Sequence, residues 1–110
     1  QAMQFKIADM VTNLVAARNM TRLAAYKIDK NDSEATVYAA MAKGFATDVG
    51  FNVCNEALQI FGGYGYIQEY PLERHVRDVR VHQILEGTNE IMKMIIGRRI
   101  IMEDAASIIQ

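Results

Sequence analysis

The sequence predicts an all-α fold, an antiparallel bundle of three long helices and at least one short one, from three observations. The chain has 110 residues with one proline, and its seven glycines are sparse except at Gly62, Gly63 and Gly65, so long stretches lack helix breakers. Apolar residues recur at spacings of three and four, while the alternation typical of strands is absent. Hydrophobic residues make up 51% of the chain, enough to fill the core of one domain.

The first helix is expected from about Gln4 to Lys30. Its apolar residues recur along one face of a helix. That stripe comprises Met3, Ile7, Met10, Leu14, Ala17, Thr21, Ala24 and Ile28. A polar turn follows, and Asn31 to Ser33 offer N-cap side chains for the next helix.

The second helix is expected from about Ser33 to Phe61 and carries apolar residues on two faces. One face holds Ala39, Ala42, Ala46, Val49, Val53 and Ile60, and the other holds Phe51, Cys54, Leu58 and Phe61. Two apolar faces require partners on two sides. In so short a chain, this predicts another subunit or a further domain, and we expect a dimer or tetramer.

Two shorter helices complete the predicted bundle. Pro71 suits the first turn of a helix, because its missing N–H costs little there, and that helix is expected over Leu72 to about Val79. The last helix is expected to start near Thr88 or Asn89 and to run to about Ile101 or beyond. The apolar pattern begins almost at the first residue, so residues 1–110 are interpreted as one domain of a longer subunit.

Composition excludes several classes of function. The net charge of −1 argues against a general nucleic-acid binder. No apolar run of ~18 residues is present, so no membrane span is expected. The single cysteine, Cys54, rules out an internal disulfide. His75 and His82 are too far apart on a helix to share a metal ion, so no metal site is predicted.

Glu86 is the main candidate for chemistry, because a carboxylate can act as a general base. Taken alone, a glutamate beside a helix start is more often a surface residue that compensates the helix dipole. Gly87 removes a side chain next to the carboxylate, which lets a bulky substrate approach the backbone. Thr88 and Asn89 add side-chain oxygens at the start of a helix, where free N–H groups favour an anionic or electron-rich ligand.

The glycine cluster at Gly62, Gly63 and Gly65 has two interpretations. Glycine-rich turns can cradle phosphates through their backbone. The segment lacks the lysine of a P-loop and the preceding strand of a dinucleotide-binding fingerprint. By itself, it is more simply a helix C-cap with a tight turn.

Several segments together resemble the acyl-CoA dehydrogenase family over nearly the whole chain, specifically its C-terminal helical domain. They are residues 4–10, Gln59 to Tyr66, Glu69-Tyr70-Pro71, Arg77-Asp78 and Gln83 to Thr88. Leu85 stands where many members have tyrosine. This residue, with Val81 to Ile84 ahead of it and Ala46 to Asp48 upstream, is most similar to the isobutyryl-CoA, or short branched-chain, branch.

The resemblance implies an antiparallel four-helix up-and-down bundle that belongs to a flavin enzyme. That enzyme would convert a short or branched acyl-CoA thioester to the 2-enoyl-CoA. Glu86 would abstract the α proton while a hydride passes from the β carbon to FAD. Leu85 and Gly87 would contact the substrate. The segment that would reach the flavin of a neighbouring subunit comprises Gln59, Ile60, Phe61, Gly62 and Gly63. Thr88, Asn89 and Glu90 would lie by the flavin of their own subunit.

Further expectations follow from the resemblance. The complete subunit would add an N-terminal helical domain and a middle β domain, so residues 1–110 alone should be inactive. An electron-transfer flavoprotein would accept the electrons. The location would be the cytoplasm in a bacterium or the mitochondrial matrix in a eukaryote. The alternatives are a helical interaction domain, in which Glu86 and the glycine turn are structural, and a related acyl-CoA oxidase.

Overall fold

A long helical hairpin forms the frame of the fold. The computed structural model describes residues 1–102 and 108. Helix α1 spans Ala2–Asp29 and helix α2 spans Ala35–Phe61. A helix of 28 residues is roughly 42 Å long, and the radius of gyration is accordingly 16.4 Å, against about 13 Å for a compact domain of this length.

Ion pairs fix the two helices of the hairpin in antiparallel register. Lys6, near the start of α1, pairs with Glu56, near the end of α2. At the other end of the hairpin, the Lys27 ammonium lies 2.9 Å from the Asp32 carboxylate and 3.4 Å from that of Glu34. The pairs therefore join both ends of the long contact between α1 and α2.

The turn between α1 and α2 differs in detail from the expected cap. Helix α2 begins at Ala35 with Glu34 as the residue before it, so no side chain of Asn31 to Ser33 occupies the N-cap position. Asp32 still contributes, because its Oδ1 accepts a 2.8 Å hydrogen bond from the Glu34 N–H. That bond, and the bond from Lys27, lower the pKa of the Asp32 carboxyl.

Three further helices lie along α2. They are α3 over Gly63–Tyr66, α4 over Leu72–Val81 and α5 over Asn89–Met102. The stretch of the last helix expected beyond Met102 falls outside the described residues.

Helix α2 is the central element, with α1 on one side and α4 and α5 on the other. Arg80 of α4 lies over the ring of Phe51 at 6.0 Å, and a side chain on Gly44 would meet Met92 of α5 at 3.6 Å. Tyr70, just before α4, contacts Phe61 at the end of α2, and Arg98 of α5 lines the same cavity as Ser33, just before α2. With two contacts each, α4 runs antiparallel to the second half of α2, and α5 antiparallel to its first half. The predicted all-helical class and antiparallel packing are confirmed, since the described residues form four helices of more than one turn and no strand.

Small side chains form the core, which is why the helices approach closely. The buried apolar residues are Ala17, Ala24, Val37, Ala40, Ala42 and Val49. The stripe predicted for α1 is only partly buried: Ala17 and Ala24 face α2, while Met3, Ile7, Leu14 and Ile28 stay exposed. Helix α1 is apolar over more than one face, and its alanines allow closer approach to α2 than its larger side chains would. Most apolar side chains of α2 are covered within the chain. Among the described residues, exposed apolar side chains remain on α1, around the end of α2 and on α5.

Candidate active site

The glycine turn ends helix α2. Gly62 has a φ of +60°, in the left-handed region that favours glycine. Its N–H donates to the Gln59 carbonyl at 3.1 Å, and the Gly65 N–H donates to the Gly62 carbonyl at 3.0 Å. The predicted C-cap and tight turn are therefore confirmed.

Gly65 is the sterically demanding glycine of this turn, a feature that the sequence did not indicate. It is buried, and a Cβ built on it would lie 2.5 Å from the Leu58 carbonyl oxygen. Gly62 and Gly63 differ, because a Cβ on either would meet no atom within 4 Å. The backbone of the turn is thus packed against α2 at Gly65 and open at Gly62 and Gly63.

The residues around this turn form an exposed apolar surface. Gln59, Ile60 and Phe61, in the last turn of α2, are all exposed. The ring of Tyr70 lies 6.1 Å from that of Phe61 and 5.5 Å from that of Tyr64, measured between centroids. The aromatic cluster holds the segment after the turn against the end of α2 while leaving residues 59–63 accessible.

The second group of predicted residues lies in a strained turn before α5. Glu86 has a φ of +58° and Gly87 a φ of +91°. A non-glycine residue in the left-handed region costs about 1–2 kcal/mol, and such strain clusters at functional sites. Glycine at position 87 was expected because it leaves room for a substrate, but the structure gives a different reason. The backbone of Gly87 has a positive φ, which favours glycine, and a Cβ built on it would lie 2.8 Å from the methyl group of Met92.

The side chain of Lys43 fastens this turn to α2. Its ammonium donates to the Gly87 carbonyl at 2.7 Å and to Asn89 Oδ1 at 2.7 Å. Hydrogen bonds from a charged donor are worth about 1.5–3 kcal/mol each, which is enough to offset the backbone strain at Glu86.

Asn89 is the buried centre of a polar network, with 5% of its surface exposed. Its Nδ2 donates to Asp48 Oδ1 at 2.7 Å and to Thr47 Oγ1 at 2.8 Å. Asp48 Oδ1 also accepts from Gln83 Nε2 at 2.7 Å, and the Asn89 N–H donates to the Gln83 carbonyl at 3.1 Å. The side chain predicted to lie by a flavin is therefore hydrogen-bonded to α2, and these bonds connect the turn to that helix.

Sequence reasoning missed Lys43, Thr47 and Gln83 as members of this site. The available signal was weak: Lys43 and Asp48 are charged residues in a stretch of α2 that is otherwise rich in small and apolar side chains. A charged residue on a face that packs against other helices needs a partner. The sequence does not show that the partner lies about 45 residues away in the turn before α5.

The start of α5 borders a small polar cleft. Thr88 precedes the helix, and its hydroxyl accepts from the Ile91 N–H at 3.4 Å, while Glu90 is exposed. The cleft has a volume of about 170 Å³ and is lined by Asp48, Arg80, Gln83, Ile84, Thr88, Asn89, Glu90 and Lys93. Pockets for drug-sized ligands span about 300–1,000 Å³, so this cleft does not enclose a large ligand.

The structure keeps the two groups of predicted residues apart. The turn at Glu86 is fastened to Lys43, whereas the glycine turn follows Gln59 on the same helix. At 1.5 Å per residue, Lys43 and Gln59 are roughly 24 Å apart along α2. The chain thus presents two separate surfaces at which a cofactor can be contacted.

Residues 1–102 and 108 contain neither a metal-binding cluster nor a helix that could span a membrane. These residues contain no group of three or more His, Cys, Asp or Glu side chains that could hold a metal ion. No described helix is both long enough and apolar enough to cross a membrane.

Comparison with known proteins places the chain among flavin enzymes of one family. The family model described as acyl-CoA dehydrogenase, C-terminal domain, matches residues 1–101. Isobutyryl-CoA dehydrogenase of Dictyostelium discoideum is 54% identical over 104 residues, which cover 94% of this chain and 25% of that protein.

Two solved structures share the fold. Butyryl-CoA dehydrogenase from Megasphaera elsdenii has a TM-score of 0.87 and 48% identity over 91% of this chain and 26% of its own. The second is a chain of a structure described as the electron transferring flavoprotein of Acidaminococcus fermentans, in connection with flavin-based electron bifurcation. It has a TM-score of 0.88 and 44% identity, and the match covers 92% of this chain and 26% of its own. The present chain thus spans about a quarter of the length of these relatives. The match to the family model extends over both candidate surfaces. The chain therefore belongs to the acyl-CoA dehydrogenase family and corresponds to its C-terminal domain.

Proposed function

We propose that the protein is the C-terminal domain of an FAD-dependent dehydrogenase that converts a short or branched acyl-CoA thioester to its 2-enoyl-CoA. The observation that carries the proposal is the strained turn at Glu86. Glu86 is exposed and has a φ of +58°, and Gly87 after it has a φ of +91°. Lys43 binds this turn to α2 through the Gly87 carbonyl. A surface glutamate needs no such support, whereas a positioned base does.

In this proposal, Glu86 removes the proton from the α carbon of the thioester. Among the residues that the structure describes, the Glu86 N–H donates to no acceptor. It is therefore available to the thioester carbonyl, where negative charge develops as the α proton leaves. A backbone donor fixed in advance at such a position stabilises the transition state. Leu85 is exposed beside it, and Leu85 and Gly87 contact the acyl-CoA.

The residues present fit a flavin at the two separated surfaces. Gly62 and Gly63 have open space where side chains would lie, so a ligand can approach the backbone there. The first surface is formed by Gln59, Ile60, Phe61, Gly62 and Gly63, and the second by Thr88, Glu90 and the backbone of Asn89. When bound, FAD supplies the acceptor for the two electrons and the second hydrogen that leave the thioester.

The separation of the two surfaces supports a site shared between copies of the protein. The glycine turn lies roughly 24 Å along α2 from the position of Lys43, and the exposed apolar residues of α1 offer an interface. In the proposal, each copy contributes residues 59–63 to a neighbour's flavin and residues 86–90 to its own. The complete subunit also holds an N-terminal helical domain and a middle β domain, and an electron-transfer flavoprotein takes the electrons.

The substrate class is proposed from similarity. The relatives named above act, by their names, on isobutyryl-CoA and butyryl-CoA. Both are short acyl thioesters, and Leu85 is a mid-sized aliphatic side chain beside the proposed base.

The decisive experiment replaces Glu86 by glutamine in the full-length protein. Glutamine keeps the shape but cannot accept the α proton, so the rate at which acyl-CoA bleaches the bound flavin should fall ~10²–10⁴-fold. Flavin content and substrate affinity should stay close to those of the parent. Glu86→Asp should retain part of the activity, with its carboxylate drawn back from the substrate.

Glu73→Gln is the matched control, because it removes a carboxylate from the first turn of α4, away from the turn at Glu86. Stopped-flow absorbance of the flavin measures all three variants against the parent. Bleaching of Glu86→Gln at the parental rate would place the base elsewhere and overturn the assignment of Glu86.

A further inference from the structure

The turn that carries Glu86 is held in part by Lys43, a residue that no sequence motif of the site includes. Glu86 and Gly87 both have positive φ values, a conformation that an isolated chain disfavours at a glutamate. Lys43 Nζ donates to the Gly87 carbonyl, one residue after Glu86, at 2.7 Å. A lysine 43 residues earlier in the chain is thus bonded to the backbone next to the proposed base.

The anchoring has a second component through Asn89. Lys43 Nζ also donates to Asn89 Oδ1 at 2.7 Å, and Asn89 Nδ2 donates to the Gly44 carbonyl at 3.3 Å and to Asp48 Oδ1 at 2.7 Å. Asn89 is nearly fully buried. The segment from Gly87 to Asn89 is therefore attached to little more than one turn of α2.

We propose that Lys43 is a positioning residue for the dehydrogenation: through Gly87 and Asn89 it holds Glu86 in the left-handed conformation from which the carboxylate reaches the α carbon. The inference rests on the proposed function of Glu86. Lys43 does not touch the substrate in this proposal. It acts on the backbone that carries the base.

The hydrogen bonds of Lys43 suit this role better than a simple structural ion pair. The two contacts of its ammonium are to neutral oxygens, a backbone carbonyl and an amide oxygen. Lys6, by comparison, pairs with the Glu56 carboxylate and joins α1 to α2. Replacing Lys43 removes its bonds to the Gly87 carbonyl and to Asn89, while Asn89 keeps its bonds to Thr47 and Asp48. Without the bond to Gly87, the backbone at Glu86 and Gly87 can relax towards ordinary angles.

The test uses Lys43→Met in the full-length protein, with Lys6→Met as the matched control and Lys43→Arg as the conservative variant. Displacement of a catalytic group by about 1 Å can cost on the order of 10²-fold in rate. We therefore expect the limiting rate of flavin bleaching in Lys43→Met to fall roughly 10–100-fold, with the substrate Kd close to that of the parent. Lys43→Arg keeps a cationic donor and should restore most of the rate, and Lys6→Met should leave it unchanged.

Hydrogen exchange of backbone amides supplies a readout that does not depend on activity. In Lys43→Met, the amides of residues 83–89 should exchange faster, and those of the α1–α2 hairpin should exchange as in the parent. Should Lys43→Met fail to fold, Lys43→Gln replaces it, because the amide can still bond one of the two acceptors and should give an intermediate rate.

The possible outcomes separate this inference from the proposed function. Faster exchange at residues 83–89, a reduced bleaching rate and an unchanged Kd support the positioning role. Faster exchange with a parental bleaching rate, while Glu86→Gln is slow, overturns the role of Lys43 and leaves the proposed function standing. A parental rate in Glu86→Gln overturns both.

Discussion

The glycine turn after α2 offers a quantitative test of how the chain is built there, because its three glycines face different surroundings. Gly65→Ala places a Cβ 2.5 Å from the Leu58 carbonyl oxygen and 3.0 Å from Phe61 Cβ, whereas real Cβ atoms essentially never come within 3.0 Å. The Leu58 oxygen belongs to the backbone of α2, so it cannot move aside as a flexible side chain would. Overpacking of this kind typically costs 1–3 kcal/mol, and we expect a loss of about 2–3 kcal/mol in the free energy of unfolding.

The neighbouring glycines should respond differently for separate reasons. Gly62→Ala meets no atom within 4 Å but must hold a φ of +60°, which costs about 1–2 kcal/mol. Gly63 has neither constraint. Gly63→Ala should therefore be neutral, or stabilise the chain by about 0.4–1 kcal/mol, because alanine restricts the unfolded state.

Urea unfolding followed by far-ultraviolet circular dichroism measures this order on the chain itself. Equal stability of Gly65→Ala and the parent, or a larger loss in Gly63→Ala than in Gly65→Ala, would refute the reasoning from contacts and φ. Gly63→Val in the full-length protein extends the test to the cofactor. Its Cβ faces open space and its backbone is unstrained, so loss of flavin without loss of stability would identify a contact with FAD.

The remaining predictions concern the hairpin. Since the folded-state pKa of Asp32 lies below its ordinary 3.8, its contribution to stability is present above that pH and is lost as pH falls through the folded value. Acid titration of unfolding should show this loss in the parent and not in Asp32→Asn. The exposed apolar residues of α1 should make the chain a dimer or tetramer. Ile7→Ser with Leu14→Ser should reduce the mass measured by light scattering, and a parent that is monomeric at high concentration would contradict the interface.

The helices were predictable because strong local signals bound them. Pro71 precedes α4, and Gly62 ends α2, as the sequence indicated. The last helix begins at Asn89, as predicted from the Thr88-Asn89 pair. Breakers and caps act over a few residues, so the sequence alone is sufficient to place them.

The orientation of α1 could not be predicted in the same way. Its apolar residues cover more than one face, and only the partner helix decides which face is buried. The structure buries Ala17 and Ala24 and leaves Ile7 and Leu14 exposed. Periodicity therefore predicted that the helix exists, but it identified only part of the surface that contacts α2.

The motifs of the candidate site could be predicted from the sequence, but the side chains that hold them in place could not. Glu86 and Gly87 were identified from adjacent residues, yet the turn that they form is hydrogen-bonded to Lys43, far away in the sequence. Contacts between residues this far apart in sequence leave no local pattern. The same holds for Gly65, whose need for glycine comes from the Leu58 carbonyl and not from its own φ.

The polar network at Asn89 explains why this part of the fold is not simply an apolar contact. A buried amide must meet donors and acceptors at fixed positions, so a satisfied polar network specifies one arrangement of the packed helices. Asn89 Nδ2 has two hydrogens and three acceptors within reach, on Gly44, Thr47 and Asp48. A shift of α5 along α2 would leave the amide or the Asp48 carboxylate unpaired, which costs about 1–3 kcal/mol or more. The network therefore fixes the register of α5 on α2. Because Glu86 lies three residues before Asn89, the network also fixes the position of the backbone that carries the proposed base.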